Sequence, residues 1–133
     1  MRNSLYSGKV VVITGSTQGL GEAVARKMVA EQAAGVSISG RNVERGKALA
    51  EELTALGTPT IFVRTELENS DECRNLIRQS VEHFGRLDGL VNSAAITTRG
   101  TLEESSVELW DQHMAVNARA PFLTMQELSL IHI

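Results

Sequence analysis

The chain has 133 residues, long enough for one domain and one hydrophobic core, and its 42% hydrophobic content is ordinary for a globular protein. Its 13 basic and 16 acidic residues give a formal charge of -3, with no basic run or aromatic-and-basic stripe, which excludes nucleic acid as an expected partner. No apolar stretch approaches the roughly 20 residues of a membrane span, and residues 1–9 lack the apolar centre of a secretory signal, so no membrane partner and a cytoplasmic location are expected.

Apolar runs alternate with longer segments of helical period, the pattern of strand-helix units around a parallel sheet. The first strand is predicted at 9–14 (KVVVIT), the second at 35–39, the third at 60–64 and the fourth at 87–92. Between them, a helix over 20–31 aligns Leu20, Val24 and Met28, and one over 42–56 aligns Gly46, Leu49, Leu53 and Leu56. A third helix over 70–84 aligns Cys73, Leu76, Ile77, Val81 and Phe84, with Asn69 and Glu72 spaced as a capping box and Gly85 as terminator. The last helix is predicted to begin near Ser105, capped through Glu108, and to run through Trp110, Met114 and Asn117 toward a kink at Pro121. Its apolar residues lie on more than one face, so it should pack against something besides the sheet. The fold class is α/β, a Rossmann-type parallel sheet with helices on both faces, here with strands one to four only.

The single Cys73 cannot form an internal disulfide, and His83, His113 and His132 are scattered, so no metal is expected. Cys73 lies on the apolar face of its helix and reads as an inert buried thiol.

Strand one runs directly into Thr14-Gly15-Ser16-Thr17-Gln18-Gly19-Leu20-Gly21, which opens a helix. A buried strand delivering a glycine-rich turn to a helix amino-terminus makes an anion site, because unpaired N–H groups and the positive end of the helix dipole converge there. Gly15 permits the turn, Gly19 admits a ligand close to the backbone, and Gly21 lets the helix sit near the sheet. Alone, the motif is also compatible with a merely structural strand-helix turn.

The Gly-x-x-x-Gly-x-Gly spacing after Thr14 resembles the classical short-chain dehydrogenase/reductase family. Three further elements agree in order: Asn92-Ser93-Ala94-Ala95 after strand four, Val116-Asn117 followed by Ala120-Pro121-Phe122, and Glu66-Leu67 after strand three. The resemblance covers about residues 7–126. It implies that Gly15, Ser16, Thr17, Gln18, Gly19, Leu20 and Gly21 bind the cofactor pyrophosphate side, that Glu66 and Leu67 hold the adenine, and that Asn92, Ala94 and Ala95 lie beside the cofactor. It implies a catalytic role for Asn117, holding a water in the proton relay. From the residue alone, Asn117 would read as solvent-facing or locally capping. Three departures stand out: Ser93 and Ala95 replace an asparagine and a glycine of the turn, Glu66 replaces a shorter aspartate, and Gln32 stands where a helix-ending glycine is usual.

The implied activity is NAD(P)(H)-dependent oxidoreduction of a carbonyl/alcohol pair, with 3-oxoacyl thioesters, sugars, polyols and steroids all open as the small-molecule substrate. NADP(H) is favoured over NAD(H). About 20 residues beyond the glycine loop, NAD-binding proteins place an acidic side chain on the ribose hydroxyls, whereas here Ser39-Gly40-Arg41-Asn42 offers Arg41 to a 2′-phosphate. The family's catalytic serine, tyrosine and lysine are not found: the only tyrosine is Tyr6, with no lysine four residues on. The chain therefore reads as a cofactor-binding fragment of a parent that forms a homodimer or homotetramer. The alternatives are a non-catalytic dinucleotide-binding module or a non-functional remnant. The isolated chain is expected to be inactive and poorly soluble, with strand four exposing an unpaired edge.

Residues 1–127 are read as the partial dinucleotide-binding domain and 128–133 (LSLIHI) as a non-native tail. The latter back-translates to CTG TCT CTT ATA CAC ATC, the start of the transposon mosaic end used in tagmentation adapters. Independent reads across the locus are expected to diverge at about Leu128 and to encode a continuing chain with a serine and a Tyr-x-x-x-Lys. An intact genomic clone that stops after Ile133 would overturn this.

Overall fold

The computed structural model describes residues 4–133; residues 1–3, where the expected domain begins, lie outside the described residues. The central strand β1 (Val10–Thr14) is five consecutive β-branched residues, a composition that suits a strand buried on both faces, and all five are buried. With β2 (Gly35–Gly40), β3 (Thr60–Arg64) and β4 (Gly89–Asn92) it forms one sheet of order β3-β2-β1-β4, parallel at every pairing. The α/β class and the parallel sheet read from the sequence are those of the structure.

Strand limits shift for local reasons. Lys9 precedes β1, and β2 runs on to Gly40, which pairs with Arg64. Instead of starting at Leu87, β4 starts at Gly89, preceded by a side-chain closure: Asp88 donates its N–H to the Val10 carbonyl at 2.8 Å and accepts the Val10 N–H on Oδ2 at 2.8 Å. Arg86 forks onto the same carboxylate at 2.7 and 2.9 Å. That guanidinium first, and the Val10 N–H after it, hold the Asp88 carboxyl below its ordinary range. A depressed carboxyl stabilises the fold above its unfolded-state value, and the contribution is lost as pH falls through the depressed one.

Helices α1 (Gly19–Ala30) and α2 (Val43–Ala55) cover one face of the sheet, burying Ala25, Met28, Leu49 and Leu53 against Val11, Ile13, Val36 and Ile38. Helix α3 (Ser70–Phe84) covers the other, with Leu76 and Ile77 against Val10, Val12 and Val63. The alternation along β1 thus feeds both layers, and each fully buried aliphatic side chain contributes about 1.5–3 kcal/mol. The apolar stripes differ from those predicted. In α1 the buried stripe is Gly21, Ala25 and Met28, while Leu20 is 72% exposed over the glycine loop. The helix starts so near the sheet that only a glycine fits there. In α2 the stripe is Gly46, Leu49, Ala50 and Leu53, and Leu56 is an exposed C-cap.

Asn69 caps α3 as predicted, accepting the Asp71 and Glu72 N–H groups at 2.9 and 3.1 Å, and Gly85 closes it in the left-handed region. The capping box stays half-built, because the Glu72 carboxylate accepts the Glu66 N–H at 3.0 Å rather than returning to Asn69. The cap of α4 (Val107–Met114) is Ser106, which accepts the Leu109 N–H at 3.0 Å. Ser105, the predicted cap, instead donates to the Thr101 carbonyl at 2.6 Å. The helical path does not stop at Pro121: a π-helical turn (Ala115–Arg119) leads into α5 (Ala120–Ile131), where the proline occupies the first turn. Proline is tolerated there because a first-turn N–H has no partner within its own helix. Residues 128–131, whose helical pattern is weak in sequence, belong to α5, and Leu128 packs on the α3 side of the sheet. The packing against something besides the sheet expected of the predicted helix is made by its continuation α5, where Ala120 and Leu123 meet Cys73 of α3 and Arg78 donates to Glu127 at 2.7 Å, while Trp110 and Met114 of α4 are exposed.

Gln32 follows the C-cap of α1 with φ 63° and is exposed. Its N–H donates to the Val29 carbonyl and that of Ala33 to the Met28 carbonyl, both at 3.0 Å. This is the Schellman arrangement, which favours glycine at the left-handed position. Gln32→Gly is therefore expected to raise stability by about 0.5–1 kcal/mol, and Gln32→Ala to give no such gain. Urea unfolding of the two variants against the parent checks it.

Candidate active site

Every strand ends at the same edge of the sheet, and the connections leaving that edge diverge between β1 and β4. In open parallel sheets this is where a crevice forms. Polar side chains tie the strand ends together. Thr14, 2% exposed, accepts the N–H groups of Ser93 and Ala94 on Oγ1 at 3.1 and 3.2 Å, and the Ser93 hydroxyl donates to the Thr14 carbonyl. On the other side, the Ser16 N–H donates to the Ser39 carbonyl at 3.0 Å, Ser16 Oγ donates to the Ile13 carbonyl at 2.8 Å, and the Ser39 N–H donates to Ser16 Oγ at 2.7 Å. The Thr65 N–H closes the row on the Gly40 carbonyl at 3.0 Å.

The glycines of the loop do different things. A Cβ on Gly21 would lie 2.1 Å from the Gly15 carbonyl oxygen and 2.7 Å from Ser93 Oγ, so the helix start, the loop and the β4 turn meet with no room for a side chain. Gly19, at φ 57°, has nothing within 4 Å of the same position and faces open space.

The result is a cleft of about 420 Å³. Among the predicted cofactor residues, Gly15, Thr17, Gln18, Leu20, Gly21, Arg41, Glu66, Leu67, Ala94 and Ala95 line it. Four predicted residues do not. Ser16 is fully buried beneath the loop and spends its hydroxyl on β1 and β2. Gly19 lies outside the lining. Asn92 accepts the Thr124 hydroxyl at 2.9 Å, which ties β4 to α5. Asn117 sits in the π-helical turn, where it accepts the Ile96 N–H at 2.8 Å and donates to the Ile96 carbonyl at 2.9 Å. It neither caps locally nor points idly to water; it pins a residue 21 positions upstream. Pro121, having no N–H, cannot donate to the Asn117 carbonyl four residues back.

Sequence reasoning missed the far wall. Thr98, Gln112, Val116 and Glu68 line the cleft as well. Gln112 donates to the Glu68 carboxylate at 2.9 Å, Arg119 donates to the Glu68 carbonyl, and His113 Nε2 lies 2.9 Å from the Thr98 carbonyl. These contacts span long stretches of chain and leave no local spacing to find. Ser39 and Thr65 were missed as strand-end ties for the same reason. Cys73 is buried, as its position on the apolar face implied, and burial pushes its thiol up.

A parallel sheet with a glycine loop at its switch point defines a Rossmann-type nucleotide-binding domain. The family model for short chain dehydrogenases matches residues 9–131, and the chain belongs to that family. It is 41% identical over 118 residues to an uncharacterized oxidoreductase of Thermotoga maritima, covering 89% of this chain and 46% of the relative. It is also 41% identical over 123 residues to the 2,5-dichloro-2,5-cyclohexadiene-1,4-diol dehydrogenase LinX of Sphingobium indicum, covering 92% and 48%. Among solved structures, a short chain dehydrogenase from Burkholderia cenocepacia in complex with NADP superposes with a TM-score of 0.89 at 31% identity, covering 93% of this chain and 51% of that one. The chain spans about half the length of the curated relatives it matches.

Gly21→Ala is expected to destabilise the protein by about 1–3 kcal/mol, the cost of overpacking a closed contact. Gly19→Ala should instead cost about 1–2 kcal/mol through its left-handed backbone and, where the loop holds a dinucleotide as the resemblance implies, weaken that binding by intruding on the open side of the loop. Chemical unfolding together with calorimetric titration of NADP separates the two; equal stability losses with binding intact in both would refute the assignment.

Proposed function

We propose that this chain forms the adenosine and pyrophosphate side of the cofactor site of a nicotinamide-dependent oxidoreductase acting on a carbonyl/alcohol pair, with NADP(H) favoured over NAD(H). The observation that carries the reading is Arg41 in the cleft lining at the end of β2, beside the glycine loop and with no carboxylate partner among the described residues. The residues present fit the dinucleotide: the loop leaves open space at Gly19 and offers backbone N–H groups at the start of α1. The NADP complex of the Burkholderia cenocepacia relative supports the same cofactor.

Within that reading, Gly15, Thr17, Gln18, Gly19, Leu20 and Gly21 hold the pyrophosphate side, Glu66 and Leu67 border the adenine, and Ala94 and Ala95 line the path toward the nicotinamide. Ser16 and Asn92 act one step back, by fixing the strand ends. The bound cofactor supplies or accepts a hydride. Asn117 is a positioning residue: its amide holds Ile96, and we assign the water of the proton relay to its carbonyl, deprived of the Pro121 donor. We assign the proton donor to the rest of the full-length protein, since Tyr6, the one tyrosine of this chain, precedes β1 and is not among the residues that line the cleft. The 133-residue chain alone is therefore proposed to be inactive. The apolar side chains left exposed on α4 and α5, Trp110, Met114, Phe122 and Met125, support a homodimer or homotetramer of the parent. No helix among the described residues is long and apolar enough to cross a membrane, which is compatible with the cytoplasmic location proposed.

Arg41→Ala in the full-length protein is expected to weaken NADPH binding about ten- to hundredfold, the share of a charge-assisted hydrogen bond of about 1.5–3 kcal/mol, with NADH little affected. Fluorescence titration of both cofactors reads it. Equal losses for the two, or a parent preference for NADH, would show that Arg41 does not read the phosphate.

A further inference from the structure

Arg45 lies four residues beyond Arg41, in the first turn of α2, where its N–H is capped by Asn42 Oδ1 at 3.0 Å. Its guanidinium turns neither to solvent alone nor to a carboxylate. Nη1 donates to Oε1 of Gln18 at 2.7 Å, across 27 positions of sequence. Gln18 is the N-cap residue of α1, yet its side chain makes no capping bond and is given to Arg45 instead. The two loops can meet because Gly40 adds nothing between them: a Cβ there would come within 2.9 Å of Thr17 Oγ1. Among the described residues no carboxylate lies within 4.0 Å of either Arg41 or Arg45, and Glu22 and Glu52 are both paired with Arg26.

We infer that Gln18, in the cleft lining with Arg41, and Arg45, which it holds at the rim, act together as a second reader of the 2′-phosphate. The inference rests on the cofactor reading above and adds to it a residue that the glycine loop alone does not supply. Gln18 is neutral and lines the cleft. An amide oxygen that accepts from a guanidinium keeps its NH₂ free to donate toward a ligand, and it holds that cation beside the loop. A guanidinium has five N–H donors, and Gln18 engages one group of them. A phosphate between Arg41 and Arg45 would also meet the positive end of α2. The uncapped amide and the exposed, acid-free guanidinium have no other evident use.

The test compares adenosine 2′,5′-bisphosphate with 5′-AMP, which differ only in the 2′-phosphate, by calorimetric titration of the full-length protein and its variants. Arg45→Ala is expected to weaken the bisphosphate about tenfold and leave 5′-AMP unchanged, the effect of one partly exposed charge-assisted contact. Arg45→Lys should recover part of the loss, and Gln18→Ala should lose several-fold by untethering Arg45. If Arg41→Ala abolishes the preference while Arg45→Ala leaves it intact, Arg41 reads the phosphate alone and the pairing with Gln18 is only structural. Equal weakening of both probes by Arg45→Ala would likewise overturn the inference. A parent protein that binds the two probes equally would overturn the cofactor reading as well. Arg45 is exposed, so unfolding curves coinciding with the parent's are expected for its variants.

Discussion

Thr14 ends the central strand with a hydroxyl that accepts two backbone N–H groups from the turn after β4, and the rest of the site depends on that junction. At this edge the ladder between β1 and β4 runs out, and partly buried N–H groups left without partners would cost about 1–3 kcal/mol each. A threonine supplies the acceptor from within the strand, and Ser93 returns a bond to the Thr14 carbonyl. With the two strand ends fixed, Gly15 and Gly21 can close the loop against the β4 turn at a spacing that excludes any Cβ. Ser16 and Ser39 do the equivalent work between β1 and β2. The loop that could grip an anion is thus held from below by hydroxyls, leaving its upper backbone open.

The opposite wall is built differently. Residues 93–106 carry no strand or long helix, so side chains from the last helical path set their position. The π-helical turn places Asn117 where its amide can take both the N–H and the carbonyl of Ile96, as an added strand would. A π turn inserts one extra residue per turn and redirects the side chains that follow, a device frequent at functional sites. His113 at Thr98 and Arg119 and Gln112 at Glu68 fasten the same wall to the β3 side. These anchors are exposed or half-buried, in contrast to the fully buried ties under the glycine loop, and the wall should be the more readily opened of the two.

The strands and the helix order were legible in the sequence because each is written locally, whereas much of the cleft lining beyond the glycine loop was indicated by the resemblance to the family. A β-branched run reads as a strand, a glycine turn reads as a loop, and Asn69 and Gly85 bracket α3 at its observed limits. What was misread depended on partners far away in the chain. Leu20 has the spacing of a core residue, but the close approach at Gly21 turns it outward, so that it borders the cleft. Glu72 has capping-box spacing, but the Glu66 N–H competes for its carboxylate. Ser105 and Ser106 are equally good caps by type, and the Thr101 carbonyl takes the first. Pro121 reads as a kink at the end of the last helix, whereas the π turn before it lets one helical path continue to Ile131. Asn117 was singled out correctly as unusual inside a helix; its bond to Ile96 has no signature in the 21 residues between them.

The chain also separates two kinds of selectivity. On the proposed reading, a ribose phosphate would meet Arg41 just after β2 and Arg45 at the start of α2. Arg41 follows directly on β2, and the Arg45 guanidinium is held by its hydrogen bond to Gln18. A preorganised cation discriminates because it gives up little side-chain freedom when the ligand arrives. On the proposed function, the reacting molecule would lie toward the turn after β4 and the α4 wall. Open and irregular, that wall can change without disturbing the hydroxyl ties beneath the glycine loop. On the proposed function, the cofactor end of the cleft is the constrained half of the site, and substrate choice would fall to the side that is least tightly held.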